Sequence, residues 1–333
     1  MRIAIPDDYQ DCVRQLDCFS RLAGHEVTVF HDTVHDEAAL AERLQGFDAL
    51  VLTRERTRVG ASLLARLPQL RLISQTGKVA GHVDVDACTA QGVAVADGRG
   101  SGAATAELTW ALALASRRYL VKEANRLRAG HWQGHLGQQL YGQRLGIWSY
   151  GRIGRQVARY GQAFGMKVWV WGREGSTADA RADGIEVAPS REAFFAESDV
   201  VSLHIRLTPE THGIVNQDDL ARMKPRALLV NTSRAELIEA GALVAALQAG
   251  RPGFAAIDVF EQDSEPVLGA SHPLLTLPNV LCTPHIGYVE RDNFEHYFGT
   301  AFDNIAAFAQ GRPQNIVNPQ VLALAPASQG AKA

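Results

Sequence analysis

Short apolar runs separated by amphipathic stretches set the rhythm of this chain. Over the first hundred residues RIAI (2–5), VTVF (27–30), ALVL (49–52), RLISQT (71–76) and VAVA (93–96) alternate with helical patterns such as DEAALAERLQG (36–46). Strands that are apolar throughout, spaced by helices, belong to a parallel sheet covered on both faces. A second series follows: LGIWS (145–149), VWVW (168–171), DVVSLH (199–204), ALLVN (227–231), FAAIDV (254–259) and NVLCT (279–283). Six such strands predict a doubly wound parallel sheet. Between them, RIGRQVARYGQAF (152–164) sets Ile153, Val157, Ala158 and Phe164 near one helix face, and ALVAALQ (242–248) runs toward Gly250, a helix-stopping residue. Residues 102–130 read as one long helix and 294–311 as another, while the small, polar tail 325–333 is expected to fray.

Composition narrows the function. A chain of 333 residues suits two domains, each able to bury its own core. A formal charge of −3 without long runs of one sign gives no field for nucleic acid or an anionic membrane, so the expected partner is a small molecule. The opening MRIAIPDDYQ turns acidic before a signal-type apolar region forms. The longest apolar stretch, Leu108 to Ala115, holds Thr109 and is too short to span a bilayer; a cytoplasmic location is expected. Cys12, Cys18, Cys88 and Cys282 form no CxxC pair or metal-ligand spacing and are expected to be reduced, packed thiols with no metal.

The first chemical signal comes directly after LGIWS. Tyr150-Gly151-Arg152-Ile153-Gly154 opens a helix where glycines let a backbone approach a pyrophosphate and the helix N-terminus receives its charge. The usual motif starts with one more Gly, where this chain has Ser149. About eighteen residues beyond Gly154, where an acid would bind the ribose hydroxyls of NAD, the chain reads Gly172-Arg173-Glu174-Gly175-Ser176. Arg173 and Ser176 are able to donate to a 2′-phosphate, so NADP is accepted beside NAD in this reading, with Glu174 still available to ribose.

Five ordered segments, namely the cofactor loop, SLHIRLTPETHGIV (202–215), MKPRALLVNTSRAELIEAGAL (223–243), the IDVF to EP stretch (257–266) and HPLLTLPNVLCTPHIG (272–287), resemble the D-isomer-specific 2-hydroxyacid dehydrogenases. The resemblance spans nearly the whole chain. It implies an α/β fold of two Rossmann-like doubly wound parallel-sheet domains, the substrate domain discontinuous: a flavodoxin-like substrate-binding domain from 1–99 and 288–333, and an NAD(P)-binding Rossmann domain from 100–287. It further implies a homodimer in which an arm around His131 and Trp132 packs on the partner; a core role for Trp132 is the alternative.

The same resemblance implies the site. Arg234, after Asn231-Thr232-Ser233, would hold the substrate carboxylate, a task suited to a planar, permanently charged guanidinium. His285, in TPH, would be the acid/base, an imidazole being able to carry a proton either way near neutral pH. Glu265, before Pro266, would partner it; because the segment runs about two residues longer than the family pattern, Asp263, at the usual count from Asp258, is the main competitor, with Glu261 the third candidate. Asp258 matches a residue beside the nicotinamide amide, and Thr105, Ile205, Thr211 and Thr232 match cofactor-facing positions. Arg206, where Pro is usual, either helps Arg173 hold a 2′-phosphate or is a solvated cation. Thr76, Gly77 and Lys78 would meet the substrate carboxylate or phosphate through the turn after RLISQT, a solvated Lys78 being the alternative. His82 is expected to be packed or on the surface. Tyr288 replaces a usual Gly after the His and is expected to line the entrance.

The resemblance thus implies an NAD(P)-dependent oxidoreductase interconverting a small D-2-hydroxy acid and its 2-oxo acid. The competing class is a corepressor-like protein that senses the cofactor on the same fold.

Overall fold

In both halves of the chain the central apolar segments, ALVL, LISQ, VVSL and LLVN among them, bury completely because parallel strands are covered on both faces, while the edge segments EVTV and VLC stay half-exposed. In the computed structural model, which describes residues 1–261 and 271–324, the chain divides into two compact units, Met1–Ser101 with Glu290–Ala333 and Gly102–Val289.

In the first unit β1 (Arg2–Ile5), β2 (Glu26–Val29), β3 (Ala49–Leu52), β4 (Leu72–Gln75) and β5 (Ala94–Ala96) pair in parallel in the order β2-β1-β3-β4-β5. That is the flavodoxin-like order, with its switch point between β1 and β3. Asp36 caps the helix Glu37–Leu44 by accepting from the Ala39 N–H at 2.8 Å, and Leu40, Ala41 and Leu44 face the core.

The second unit holds seven parallel strands: β6 (Arg144–Trp148), β7 (Lys167–Trp171), β8 (Glu186–Val187), β9 (Val200–Leu203), β10 (Leu228–Asn231), β11 (Phe254–Ile257) and β12 (Val280–Cys282). Their order is β12-β11-β10-β9-β6-β7-β8. Counted from β6, this is the doubly wound 3-2-1-4-5-6 arrangement extended by one strand, and its switch point lies between β6 and β9. Successive side chains go to opposite faces: Val168, Val170, Leu228 and Val230 join one core cluster, whereas Trp169, Leu229 and Ile257 join the other. The edge strand β8 was not expected, since two residues carry no periodic signal.

The long helix expected over 102–130 is two helices, Ala103–Arg117 and Leu120–Arg128, broken at Tyr119, which takes a left-handed φ of 53°. Arg117 fixes the first: its buried guanidinium donates to the carbonyls of Arg226, at 2.6 Å, and Asp199, just before β10 and β9. Phe164 ends the helix Arg152–Ala163 and is 45% exposed, so it leaves the face it was expected to share with Val157 and Ala158. All four cysteines are free, and burial pushes their thiols up, to about 12 for Cys12, Cys18 and Cys88 and about 11 for Cys282. Among the described residues no helix is long and apolar enough to cross a membrane.

Candidate active site

The loop after β6 is built to approach a ligand by its backbone. Gly151 begins the helix Arg152–Ala163 without a capping side chain, which leaves the positive end of the helix to an anion. A Cβ on Gly151 would meet nothing within 4 Å, whereas one on Gly154 would lie 2.2 Å from the Ser149 carbonyl oxygen. The first glycine therefore opens space and the second lets helix and strand pack. Ser149, standing in for the usual first Gly, holds φ 79°, a conformation that L residues adopt at a cost. An open glycine cradle at an uncapped helix end fits the pyrophosphate of a dinucleotide.

Around this loop, Tyr150 turns its ring inward, with its hydroxyl donating to Asp183 at 3.1 Å. Its N–H donates to Ser176 Oγ at 2.6 Å. Ser176 thus braces the loop in addition to facing the end of β7. Arg173 is exposed at the start of the helix Glu174–Ala182, and Glu174 pairs with Arg181 at 3.4 Å. On the other side of the switch point, His204 donates its N–H to the Trp148 carbonyl at 3.0 Å, and its ring meets Ser202 Oγ at 2.9 Å. Burial pushes His204 down to about 3, so a neutral imidazole flanks the loop at ordinary pH. Ile205 is half-buried and Arg206 exposed. Thr211 spends its hydroxyl locally, donating to the Arg206 carbonyl at 2.7 Å and accepting from the Thr208 N–H at 2.8 Å.

Arg234, Asp258 and His285 follow β10, β11 and β12, three neighbouring parallel strands, and so stand along the carboxyl edge where open α/β sheets bind ligands. The turn carrying Arg234 is stitched by buried Asn231, whose side chain donates to the Arg234 carbonyl at 2.8 Å and accepts from the Ser233 N–H at 3.0 Å. Asp258 is fully buried. Its Oδ1 accepts from Thr283 Oγ1 at 2.5 Å and from the Ile286 N–H at 2.9 Å, and its Oδ2 accepts from the Gly287 N–H at 2.8 Å. His285 takes a left-handed φ of 51°. Its ring meets buried Tyr288 edge to face, centroids 5.4 Å apart, so Tyr288 backs the imidazole.

Thr105 donates to the Gly287 carbonyl at 3.0 Å, and Thr109 bonds the Thr232 hydroxyl at 2.7 Å while donating to the Thr105 carbonyl at 2.7 Å. Thr109 and Thr283 were not anticipated. Each sits inside an otherwise apolar or motif-bearing stretch, where one hydroxyl carries little signal. Glu265 and its competitor Asp263 lie outside the described residues, while the third candidate, Glu261, is exposed.

In the first unit, Thr76 is buried and accepts from the Arg54 N–H at 2.9 Å. The exposed Lys78 ammonium is paired with Asp97, which meets its charge within the unit. His82 is packed, 3.3 Å from Gln75 Oε1. Sequence reasoning overlooked Arg54, one of three alternating arginines at 54, 56 and 58. Its guanidinium lies 5.3 Å over the Tyr297 ring, and a Cβ on Gly77 would stand 2.1 Å from its Nη1.

Comparison with known proteins agrees with this geometry. The model of the D-isomer specific 2-hydroxyacid dehydrogenase NAD binding domain matches residues 110–287. A glyoxylate reductase from Aeropyrum pernix is 38% identical over 276 residues, which cover 80% of this chain and 81% of that one. A solved structure from Ralstonia solanacearum, named as a candidate D-3-phosphoglycerate dehydrogenase oxidoreductase, is 53% identical, covers 98% of both chains and superposes with a TM-score of 0.93. A phosphoglycerate oxidoreductase from Vibrio cholerae is 52% identical, covering 93% of this chain and 99% of that one, with a TM-score of 0.90. With a matching domain model, full-length relatives and a dinucleotide cradle at the switch point, the chain belongs to the D-isomer-specific 2-hydroxyacid dehydrogenases, NAD(P)-dependent oxidoreductases of small hydroxy acids.

Proposed function

We propose that the enzyme interconverts a small D-2-hydroxy acid and its 2-oxo acid, with Arg234 holding the substrate carboxylate and His285 carrying the proton. The observation that supports this reading is the adjacency of β10, β11 and β12, whose carboxyl ends lead into Arg234, Asp258 and His285 on the same edge of the sheet as the glycine loop after β6. Bound cofactor supplies the hydride acceptor or donor. Arg234 pairs with the carboxylate through parallel N–H groups and so orients the neighbouring carbonyl carbon. His285 gives its proton to the carbonyl oxygen during reduction and takes the hydroxyl proton during oxidation. Glu265 is proposed to favour the protonated imidazole, with Asp263 the alternative, and Thr76, Gly77 and Lys78 are proposed substrate contacts of the first unit.

Both NAD and NADP are proposed as cofactors. NADP acceptance rests on exposed Arg173 at the start of the helix Glu174–Ala182 and on the missing acid after β7. A homodimer is proposed from the apolar surface that one chain leaves exposed between residues 120 and 141, where Leu127 is 60%, Trp132 75%, Leu136 91% and Tyr141 72% accessible.

The test is the initial rate of reduction of glyoxylate, hydroxypyruvate, pyruvate and phenylpyruvate, each with NADH and NADPH. Turnover of one or more supports the reading, and the cofactor ratio reports on Arg173. Cofactor binding without turnover of any 2-oxo acid would remove the proposed substrate class.

A further inference from the structure

We propose that Asp258 is a positioning residue whose carboxylate holds the 283–287 turn, and through it His285, in working geometry. The proposal rests on the reading of His285 as proton carrier. Resemblance assigns Asp258 to the nicotinamide amide, and within the protein its carboxylate gathers three donors from the 283–287 turn. Thr283 Oγ1, the Ile286 N–H and the Gly287 N–H all donate to it, and these residues bracket His285 on both sides. The carboxylate thus acts as the hub of a five-residue turn with the imidazole at its crest.

The turn needs such a hub. His285 is left-handed at φ 51°, and its N–H donates to the Thr283 carbonyl at 3.0 Å, closing a tight turn that a residue with a Cβ does not favour alone. A Cβ on Gly287 would lie 3.0 Å from Asp258 Oδ2, so the backbone there is drawn close onto the carboxylate. Thr105 holds the Gly287 carbonyl from the other side, and the Asp258 N–H is itself tied to the Asn231 carbonyl at 3.0 Å, referring the hub to β10. Burial pushes the Asp258 carboxyl up from the usual range, while the Thr283 hydroxyl, the Ile286 N–H, His285 and the Gly287 N–H pull it back. Donors at both oxygens match an ionised acceptor, and no neutral side chain of this size offers the same set.

The experiment measures kcat at saturating NADH and 2-oxo acid, together with the NADH dissociation constant, for the full-length enzyme and Asp258→Asn. Asn keeps the volume but turns an amide NH2 toward backbone N–H donors. Misplacing the imidazole by about 1 Å lowers kcat on the order of 100-fold, a loss that saturating cofactor does not repair. Thr283→Val, which deletes one donor and no charge, lowers kcat by a smaller factor with NADH affinity kept, and decides the question if Asp258→Asn does not fold. Unchanged kcat in the folded variants, or weakened NADH binding with kcat recovered at saturation, overturns the proposal. His285→Ala separates the two layers: if it retains kcat, the reading of His285 fails first; if it loses kcat while Asp258→Asn and Thr283→Val keep theirs, only the positioning role fails.

Discussion

The carbonyl oxygen of Ser149 lies 2.2 Å from where a Cβ on Gly154 would stand, so the strand-to-helix turn at the cofactor loop tolerates no side chain at Gly154. Gly154→Ala forces backbone apart and is expected to weaken NADH binding by more than about tenfold, read by fluorescence titration. Ser149 presents the opposite case. Its φ of 79° is one that glycine adopts freely, so Ser149→Gly should leave NADH binding intact and raise the urea midpoint. The gain is about 0.5 kcal/mol, because relief of left-handed strain is offset in part by added freedom in the unfolded chain. A lower midpoint would show that Ser149 is not strained.

His204 makes stability depend on acid. Burial lowers its folded-state value to about 3, below the ordinary 6.5 of the unfolded chain, so the unfolded state binds the extra proton in between. Stability from this residue is complete above pH 6.5 and is lost as pH falls toward 3. At pH 5 the loss is about 2 kcal/mol. His204→Gln should be less stable than the parent at pH 7 through its altered bond to Ser202, with the gap narrowing at pH 5 in urea unfolding. A gap independent of pH would contradict the neutral imidazole.

Replacing Arg234 by Lys keeps the charge but removes the planar fork. On the proposed role, kcat/KM for the 2-oxo acid falls about 100-fold, roughly 3 kcal/mol, while NADH affinity changes little. Steady-state kinetics with both reactants varied checks this. Equal kcat/KM in the two proteins would place the carboxylate elsewhere.

The exposed Trp132 and Leu136 lie on the surface proposed for a homodimer. A charge placed among apolar side chains that a second copy covers is not paired there. Trp132→Asp with Leu136→Asp should therefore shift a dimer toward monomer in sedimentation velocity. An unchanged mass would move the interface off this arm.

Much of the fold was legible because parallel strands announce themselves as unbroken apolar runs. LGIWS, ALLVN and FAAIDV each coincide with a strand to within two residues at either end. What failed was short or unmarked. β8 has two residues, and the break at Tyr119 lacks the Gly or Pro that usually punctuates a helix. The positions of Arg234, Asp258 and His285 after strands were readable from linear motifs. The bonds of Asp258 were not, since they join segments separated by β12 and depend on which neighbours pack beside them. The pairing of Lys78 with Asp97 was hidden for the same reason.

One imidazole, that of His285, is proposed to serve both directions. The most direct measurement is the pH dependence of kcat/KM for 2-oxo acid reduction and for hydroxy acid oxidation, from about pH 5 to pH 9. If His285 carries the proton, reduction falls and oxidation rises as pH increases, both profiles turning on one shared ionisation that His285→Ala removes. Identical profiles in the two directions, with chemistry rate-limiting, would contradict the account.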